Sequence, residues 1–266
     1  MPIRSVVALW LVVMALPAAA DATPYQKLDV SIRNRTVTLA VYEPRQGAPR
    51  ATVVMGSGDV GWVGLAVTMA EELSSEGYRV VGVNVRQYLA AFTSGKSHVE
   101  VSDVRGDFHA IADVLTAQRL LTRPLIVSGV SEGAALAVLA ASDARNHNWI
   151  DGVITMGLPP SAELAWRWTD ISAWITKRDA DEPSFAPNDV IASVSPLPLF
   201  MIQSKRDEYV SPADYARFLA TAREPKQLTL IDAGNHRFTD RRPELRAAYF
   251  AGLAWIDQIL RTKGRT

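Results

Sequence analysis

Residues 124–142, PLIVSGVSEGAALAVLAAS, run an apolar strand into an alanine-rich helix through Gly129-Val130-Ser131-Glu132-Gly133. A strand that turns this tightly into a helix is the repeating unit of a mainly parallel sheet covered on both faces. The turn also has the form G-x-S-x-G, in which glycines two residues either side relieve the crowding around a serine at a strand end. Ser131 is then either a nucleophile raised above the sheet, with helix N–H groups beside it, or only a small residue where a strand becomes a helix.

The rest of the chain repeats the unit. KLDVSIRNRTVTLAVYEP reads as a hairpin turning at Arg33-Asn34-Arg35, an antiparallel edge to the sheet. Strand runs follow at 51–55, in YRVVGVNV, and at 150–159, 196–204 and 226–234. Helical spacing covers 64–77, with Gly77 as its stop, and about 99–121, with Val104, Phe108, Ile111 and Leu115 on one side. PADYARFLATAR and RPELRAAYFAGLAWIDQILRT supply the last two helices, and 86–97 reads as a loop. Residues 160–195, with Trp166, Trp168 and Trp174, are too long for a plain connection and read as a small helical, cap-like insertion. The expected architecture is α/β, a mainly parallel sheet with helices on both faces and a small helical insertion: one domain over 23–266, behind a leader at 1–22.

That leader is MPIR, a 13-residue apolar run SVVALWLVVMALP, and the small residues AAADA. It has the form of a secretory signal, with cleavage after Ala20 or Ala22, and is short for a membrane span of about 20 residues. The expected location is the periplasm or the medium. The absence of cysteine excludes a lipid-anchored cysteine and disulfides, so stability must come from the core. With 28 basic and 28 acidic residues, no global charge points to nucleic acid.

A serine nucleophile needs a base and an orienting carboxylate. Of four histidines, His109 falls within a helix, His147 lies in the polar connection ARNHNW and His98 follows a strand in a loop. His236 follows the last strand, on the same edge of the sheet as the serine turn, and is the candidate base. Asp207 follows the preceding strand, with Glu208 expected to point away from it. Ser131, Asp207, His236 is the chain order of α/β hydrolases. The oxyanion donors are expected to be the N–H of Glu132 and that of Gly58 or Asp59 in the turn GSGDVGW. That turn has no GKS or GKT ending, so it is not a phosphate cradle. No metal-ligand spacing is present, and neither metal nor cofactor is expected.

VVMGSGDVGW, GYRVVGVNVRQYLAAF, GVSEGAALAVL and AGNHRFTD together resemble the AcvB/VirJ family of bacterial virulence proteins, a branch of the α/β hydrolases. Ser57-Gly58-Asp59-Val60-Gly61-Trp62 is similar to the family's S-G-D-G-G-W turn, with Val60 in place of a glycine. Glu132 stands where the family often has an aromatic residue. The resemblance implies a periplasmic serine esterase with Ser131, Asp207 and His236 as triad. It also implies an aminoacyl lipid, lysyl-phosphatidylglycerol, as the membrane substrate. Asp59, Glu132 and Trp62 are then the candidate substrate-binding residues, the two carboxylates favouring a cationic acyl group. Alternatively, Glu132 is a solvated carboxylate at a helix start. The competing functions are a general carboxylesterase, similar to dienelactone hydrolases, acting on small soluble esters, and a non-catalytic envelope binding protein on the same scaffold. No protein partner is identifiable from the sequence.

Overall fold

The computed structural model describes residues 24–167 and 182–264. The leader, and residues 168–181 of the expected helical insertion with Trp168 and Trp174, lie outside those residues.

The hairpin forms as expected. Strands β1 (Gln26–Ile32) and β2 (Arg35–Tyr42) pair antiparallel, with Arg33 and Asn34 at positive φ in the two-residue turn. Then come β3 (Thr52–Gly56), α1 (Leu65–Ser75), β4 (Arg79–Val83), α2 (Val85–Phe92) and α3 (Val101–Ala117). Strand β5 (Leu125–Val130) leads into α4 (Glu132–Ala141), and β6 (Gly152–Met156) follows. A ribbon of β7 (Ala162–Glu163) and β8 (Ser184–Phe185) precedes β9 (Leu199–Ser204), α5 (Pro212–Thr221), β10 (Lys226–Ile231) and α6 (Arg242–Thr262). The sheet has the order β1-β2-β4-β3-β5-β6-β9-β10. It is parallel from β4 to β10, and β2 meets β4 antiparallel.

Alternation along each strand divides the core in two. Val54, Val81, Val127, Val153 and Met201 face α2, α3, α4 and α5. Val53, Met55, Ile126, Ile154, Phe200 and Ile202 face α1 and α6. The central strands are buried on both sides and therefore read as continuous apolar runs. Helix α4 is buried all round from Gly133 to Ala141. Its alanines keep it thin enough to sit between the sheet and α3, and Leu136 and Leu139 each contribute about 1.5–3 kcal/mol of burial.

One expectation is corrected. Residues 86–97 are not all loop. Asn84 Oδ1 caps α2 by accepting the Gln87 N–H, and Val85, Tyr88 and Leu89 form the buried side of two turns. Within 160–195, the described residues hold the β7–β8 ribbon and two short 3-10 turns, at Pro187–Asp189 and Ile191–Val194. The hairpin is fastened to the body through Asp107, whose buried carboxylate accepts two hydrogen bonds from Arg33 and one from Tyr88 Oη at 2.6 Å. Arg33 also lies 3.8 Å over the Phe92 ring. Among the described residues, no helix is long and apolar enough to cross a membrane.

Candidate active site

The parallel strands all deliver their C-terminal ends to one edge, where ligands bind in open α/β sheets. Ser131 stands there at φ 53°, ψ −119°, a conformation that costs a non-glycine residue about 1–3 kcal/mol. The surroundings leave it little choice. Its N–H donates to Met156 O at 3.0 Å, and its carbonyl accepts from Ala134 and Ala135 at 2.8 and 3.1 Å. A Cβ on Gly133 would lie 2.3 Å from Gly56 O, and one on Gly129 would lie 2.1 Å from Gly133 C. The glycines of G-x-S-x-G are thus required by the close approach of α4's first turn to β3 and β5.

Asp207 and His236 meet across the loops that follow β9 and β10. Ser204 Oγ donates to Ala233 O at 3.0 Å, and Lys205 N–H donates to Ile231 O at 2.8 Å, drawing the two loops together. Asp207 Oδ1 accepts the N–H groups of Tyr209 and Val210, which orients the carboxylate, and Oδ2 lies 2.7 Å from His236 Nδ1. The aspartate side chain is fully buried and the imidazole nearly so, at 8% exposure. An ionised carboxylate only accepts, so Nδ1 carries the proton and Nε2 is left with its lone pair. Nε2 is buried and makes no hydrogen bond to a protein atom. Burial pulls the imidazole pKa down, but the hydrogen bond and charge of Asp207, with the charges of Glu132 and Glu208, outweigh it and leave it raised.

Three neighbours were not legible as site residues. Glu208 does not point away: its Oε2 accepts the His236 backbone N–H at 2.8 Å. The Tyr209 ring meets the imidazole edge-on at 5.3 Å between centroids. Gly157, at φ +63° after β6, lies so close that a Cβ there would stand 2.7 Å from His236 Cε1. A glycine ending a strand is a visible sequence signal, but the ring it accommodates is not.

The turn after β3 forms the opposite wall. Ser57 fixes it, its N–H donating to Val83 O at 3.0 Å and its Oγ accepting the Val85 N–H at 3.1 Å. Gly58 packs beside Ser131, where a Cβ would sit 3.7 Å from Ser131 Cβ and 3.9 Å from Glu132 Oε2. Glu132 is half-buried at the helix start. Its side chain reaches toward the turn after β3, where Oε2 accepts the Asp59 N–H at 3.2 Å. Burial is the largest cause of its raised pKa, and the Asp59 charge adds to it. The nearby Ser131 hydroxyl, the Glu132 N–H and the charge on His236 act in the opposite sense. Trp62 lies elsewhere, its indole against Gly82 and its Nε1–H donating to Tyr42 Oη at 3.0 Å. There it lines a cavity of about 450 Å³ with Tyr25, Asn84 and Gln87, on the face of β2 and β4.

The other histidines are engaged away from Ser131. His98 pairs with Glu100 at 3.0 Å, His109 with Asn146 and Trp149, and His147 with Ala141 O at 2.8 Å. Among the described residues no group of three or more acidic or imidazole side chains is placed to hold a metal ion.

A mainly parallel sheet with an antiparallel hairpin at one edge, carrying a serine at positive φ between strand and helix, defines the α/β-hydrolase fold. Solved structures agree on the fold. The esterase Pf2001 of Pyrococcus furiosus has a TM-score of 0.66 at 18% identity, over 89% of this chain and 94% of its own. The esterase domain of a Rhodothermus marinus protein gives 0.59 at 17% identity, over 89% and 98%. XC6422 of Xanthomonas campestris, an α/β serine hydrolase without a lid, gives 0.57 at 20% identity, over 88% and 95%. Escherichia coli K12 YfhR is 36% identical over 66 residues, only 24% of this chain and 23% of YfhR. The sequence model of the bacterial virulence protein family VirJ matches residues 50–246, and the chain belongs to that family.

Proposed function

We propose that this chain is a serine ester hydrolase in which Ser131 attacks the carbonyl of a carboxylic ester. The observation that carries the reading is the 2.7 Å bond between His236 Nδ1 and Asp207, which leaves Nε2 as an acceptor on the edge where Ser131 stands. In the first half-reaction Nε2 takes the Ser131 proton as Oγ bonds to the carbonyl carbon. The N–H of Glu132 and that of Gly58 or Asp59 stabilise the oxyanion, and Nε2 returns the proton to the departing alcohol. In the second, Nε2 draws a proton from water, which releases the acid and restores Ser131. Asp207 holds the tautomer and stabilises the imidazolium, consistent with the raised pKa of His236.

The substrate proposed within that class is an aminoacyl ester of phosphatidylglycerol, of which the lysyl ester is the example, met at the periplasmic face of the membrane after removal of the leader. Membership of the VirJ family and the two acidic residues beside the nucleophile, Asp59 and Glu132, support it. The solved structures of similar fold named as esterases support a second reading, turnover of small soluble esters. Two measurements test these readings. A fluorophosphonate probe should label the wild type and not Ser131→Ala, and labelling of Ser131→Ala excludes the nucleophile. Membranes incubated with the wild type should lose aminoacylated phosphatidylglycerol. Hydrolysis of short p-nitrophenyl esters with those lipids untouched selects the second reading.

A further inference from the structure

We propose that a cavity at the N-terminal edge of the sheet binds a small amphiphilic monocarboxylate, with the charged end on Arg50 and Tyr78 and the apolar body against α6. The inference does not depend on the hydrolase reading, because this cavity lies at the opposite edge of the sheet from Ser131. Ala51, Tyr78 and Pro124, which stand just before β3, β4 and β5, form one side of it. Phe250, Leu253 and Ile256 of α6 form the other. Its volume is about 430 Å³, within the range of roughly 300–1,000 Å³ that takes small organic ligands.

Two polar groups stand there with donors to spare. Tyr78 is nine-tenths buried, yet its hydroxyl makes no hydrogen bond among the described residues. Burial is the largest cause of its raised pKa, so the hydroxyl keeps its proton and can donate it. The Arg50 guanidinium lies 5.2 Å over the same ring. Among the described residues its one hydrogen bond is a long contact, 3.5 Å from Nη1 to Glu76 O. Gly77 sets this arrangement. Its carbonyl accepts the Arg50 N–H at 2.9 Å, and a Cβ on it would stand 3.1 Å from Arg50 Cδ. At φ +90°, a glycine both ends α1 and lets the arginine stem cross over it to Tyr78. The other charges nearby are paired, Arg261 with Asp257 at 2.7 Å and Glu76 with Arg246. Arg50 is the cation left over. A guanidinium fork beside a phenol hydroxyl matches a carboxylate, which accepts at both oxygens. The apolar walls beyond them suit a hydrocarbon or aromatic body, and a single spare positive charge favours a monoanion.

The test titrates 4-phenylbutyrate and its neutral counterpart 4-phenylbutan-1-ol, followed by ligand-observed NMR, against the wild type, Arg50→Met, Tyr78→Phe and Ala254→Phe. The wild type should bind the acid with a Kd of about 1 mM or tighter. It should bind the alcohol at least about tenfold more weakly, the worth of roughly one charged hydrogen bond. Arg50→Met keeps a stem across Gly77 without the charge and should bring the acid down to the level of the alcohol. Tyr78→Phe, which removes only the hydroxyl, should weaken the acid several-fold and leave the alcohol unchanged. Ala254→Phe changes an exposed position of α6 that lines the cavity, and should weaken both compounds by filling it. The two surface substitutions and the conservative Tyr78→Phe leave the core packing in place, so loss of binding is read on folded protein. Equal affinities for acid and alcohol in the wild type, or an acid affinity that any of the three variants leaves unchanged, overturn the proposal. Absence of binding at about 10 mM acid overturns it as well.

Discussion

Gly157→Ala perturbs His236, the proposed base, without replacing any side chain of the proposed triad. The added Cβ would stand 2.7 Å from His236 Cε1, 3.2 Å from Nδ1 and 3.3 Å from Nε2. Carbon atoms in contact rest about 3.5–4.0 Å apart, so the ring has to retreat by roughly 0.8 Å. A displacement of that size is enough to break the 2.7 Å bond to Asp207 and to carry Nε2 away from Ser131. Misplacing a catalytic group by about 1 Å costs on the order of 10²-fold in rate. The backbone contributes separately: alanine at the φ of +63° costs about 1–2 kcal/mol, offset by about 0.4–1 kcal/mol from a less flexible unfolded chain. Gly47→Ala isolates this second effect, because Gly47 has φ +72° and nothing within 4 Å of its added carbon. Urea denaturation should therefore show Gly47→Ala losing about 1 kcal/mol and Gly157→Ala losing more, because the buried His236–Asp207 bond is broken as well. Hydrolysis of a p-nitrophenyl ester should fall about 100-fold in kcat for Gly157→Ala and stay near wild type for Gly47→Ala. A Gly157→Ala enzyme with more than about half the wild-type kcat would refute the reasoning, because the ring would then have room the structure denies it.

Asp207→Asn keeps an oxygen for the Tyr209 and Val210 amides but presents an N–H to His236, which inverts the tautomer. A fall in kcat of about 10³–10⁴-fold is expected, with the fold intact by circular dichroism. Because Nε2 must be unprotonated and the His236 pKa is raised, wild-type kcat/KM should climb with pH along a limb centred above the ordinary imidazole value of about 6.5. The same raised pKa contributes stability that is complete below about 6.5 and is lost as pH rises through the folded-state value. The stability gap between wild type and Asp207→Asn should accordingly be wider at about pH 5.5 than at about pH 8.5 in urea melts. Asp107→Ala strips Tyr88 and Arg33 of their shared acceptor. It should cost about 2–3 kcal/mol, toward the low end for a buried pair because Arg33 stays a third exposed, with kcat near wild type in the folded protein.

The framework and the three principal residues were legible because each depends on a local signal. Apolar runs mark the central strands, and Ser131, Asp207 and His236 each follow one of those runs in a fixed order. Helix α2 was hidden because its residues Arg86 and Gln87 resemble loop, and only Val85, Tyr88 and Leu89 carry its buried side. The direction of Glu132 was hidden for a different reason. A carboxylate in a first helical turn is favourable in water, so nothing local argues for its reaching toward the turn after β3. What draws it there is the Asp59 N–H, delivered by the end of a different strand. Glu208 and Gly157 likewise depend on His236, which reaches them only once β6, β9 and β10 lie side by side. Trp62 sits in a segment with a strong family likeness, yet its indole covers Gly82, a position that allows no side chain beneath it.

Helix α4 sets a limit on how this site can fail. The positive φ of Ser131 persists only while the helix behind it is clamped, and from Gly133 to Ala141 that clamp is the interior of the molecule. Ser131 therefore has no local melting of its own. Its reactivity toward a covalent probe should vanish at the temperature at which the whole domain melts, which makes Ser131 a thermometer for the entire fold.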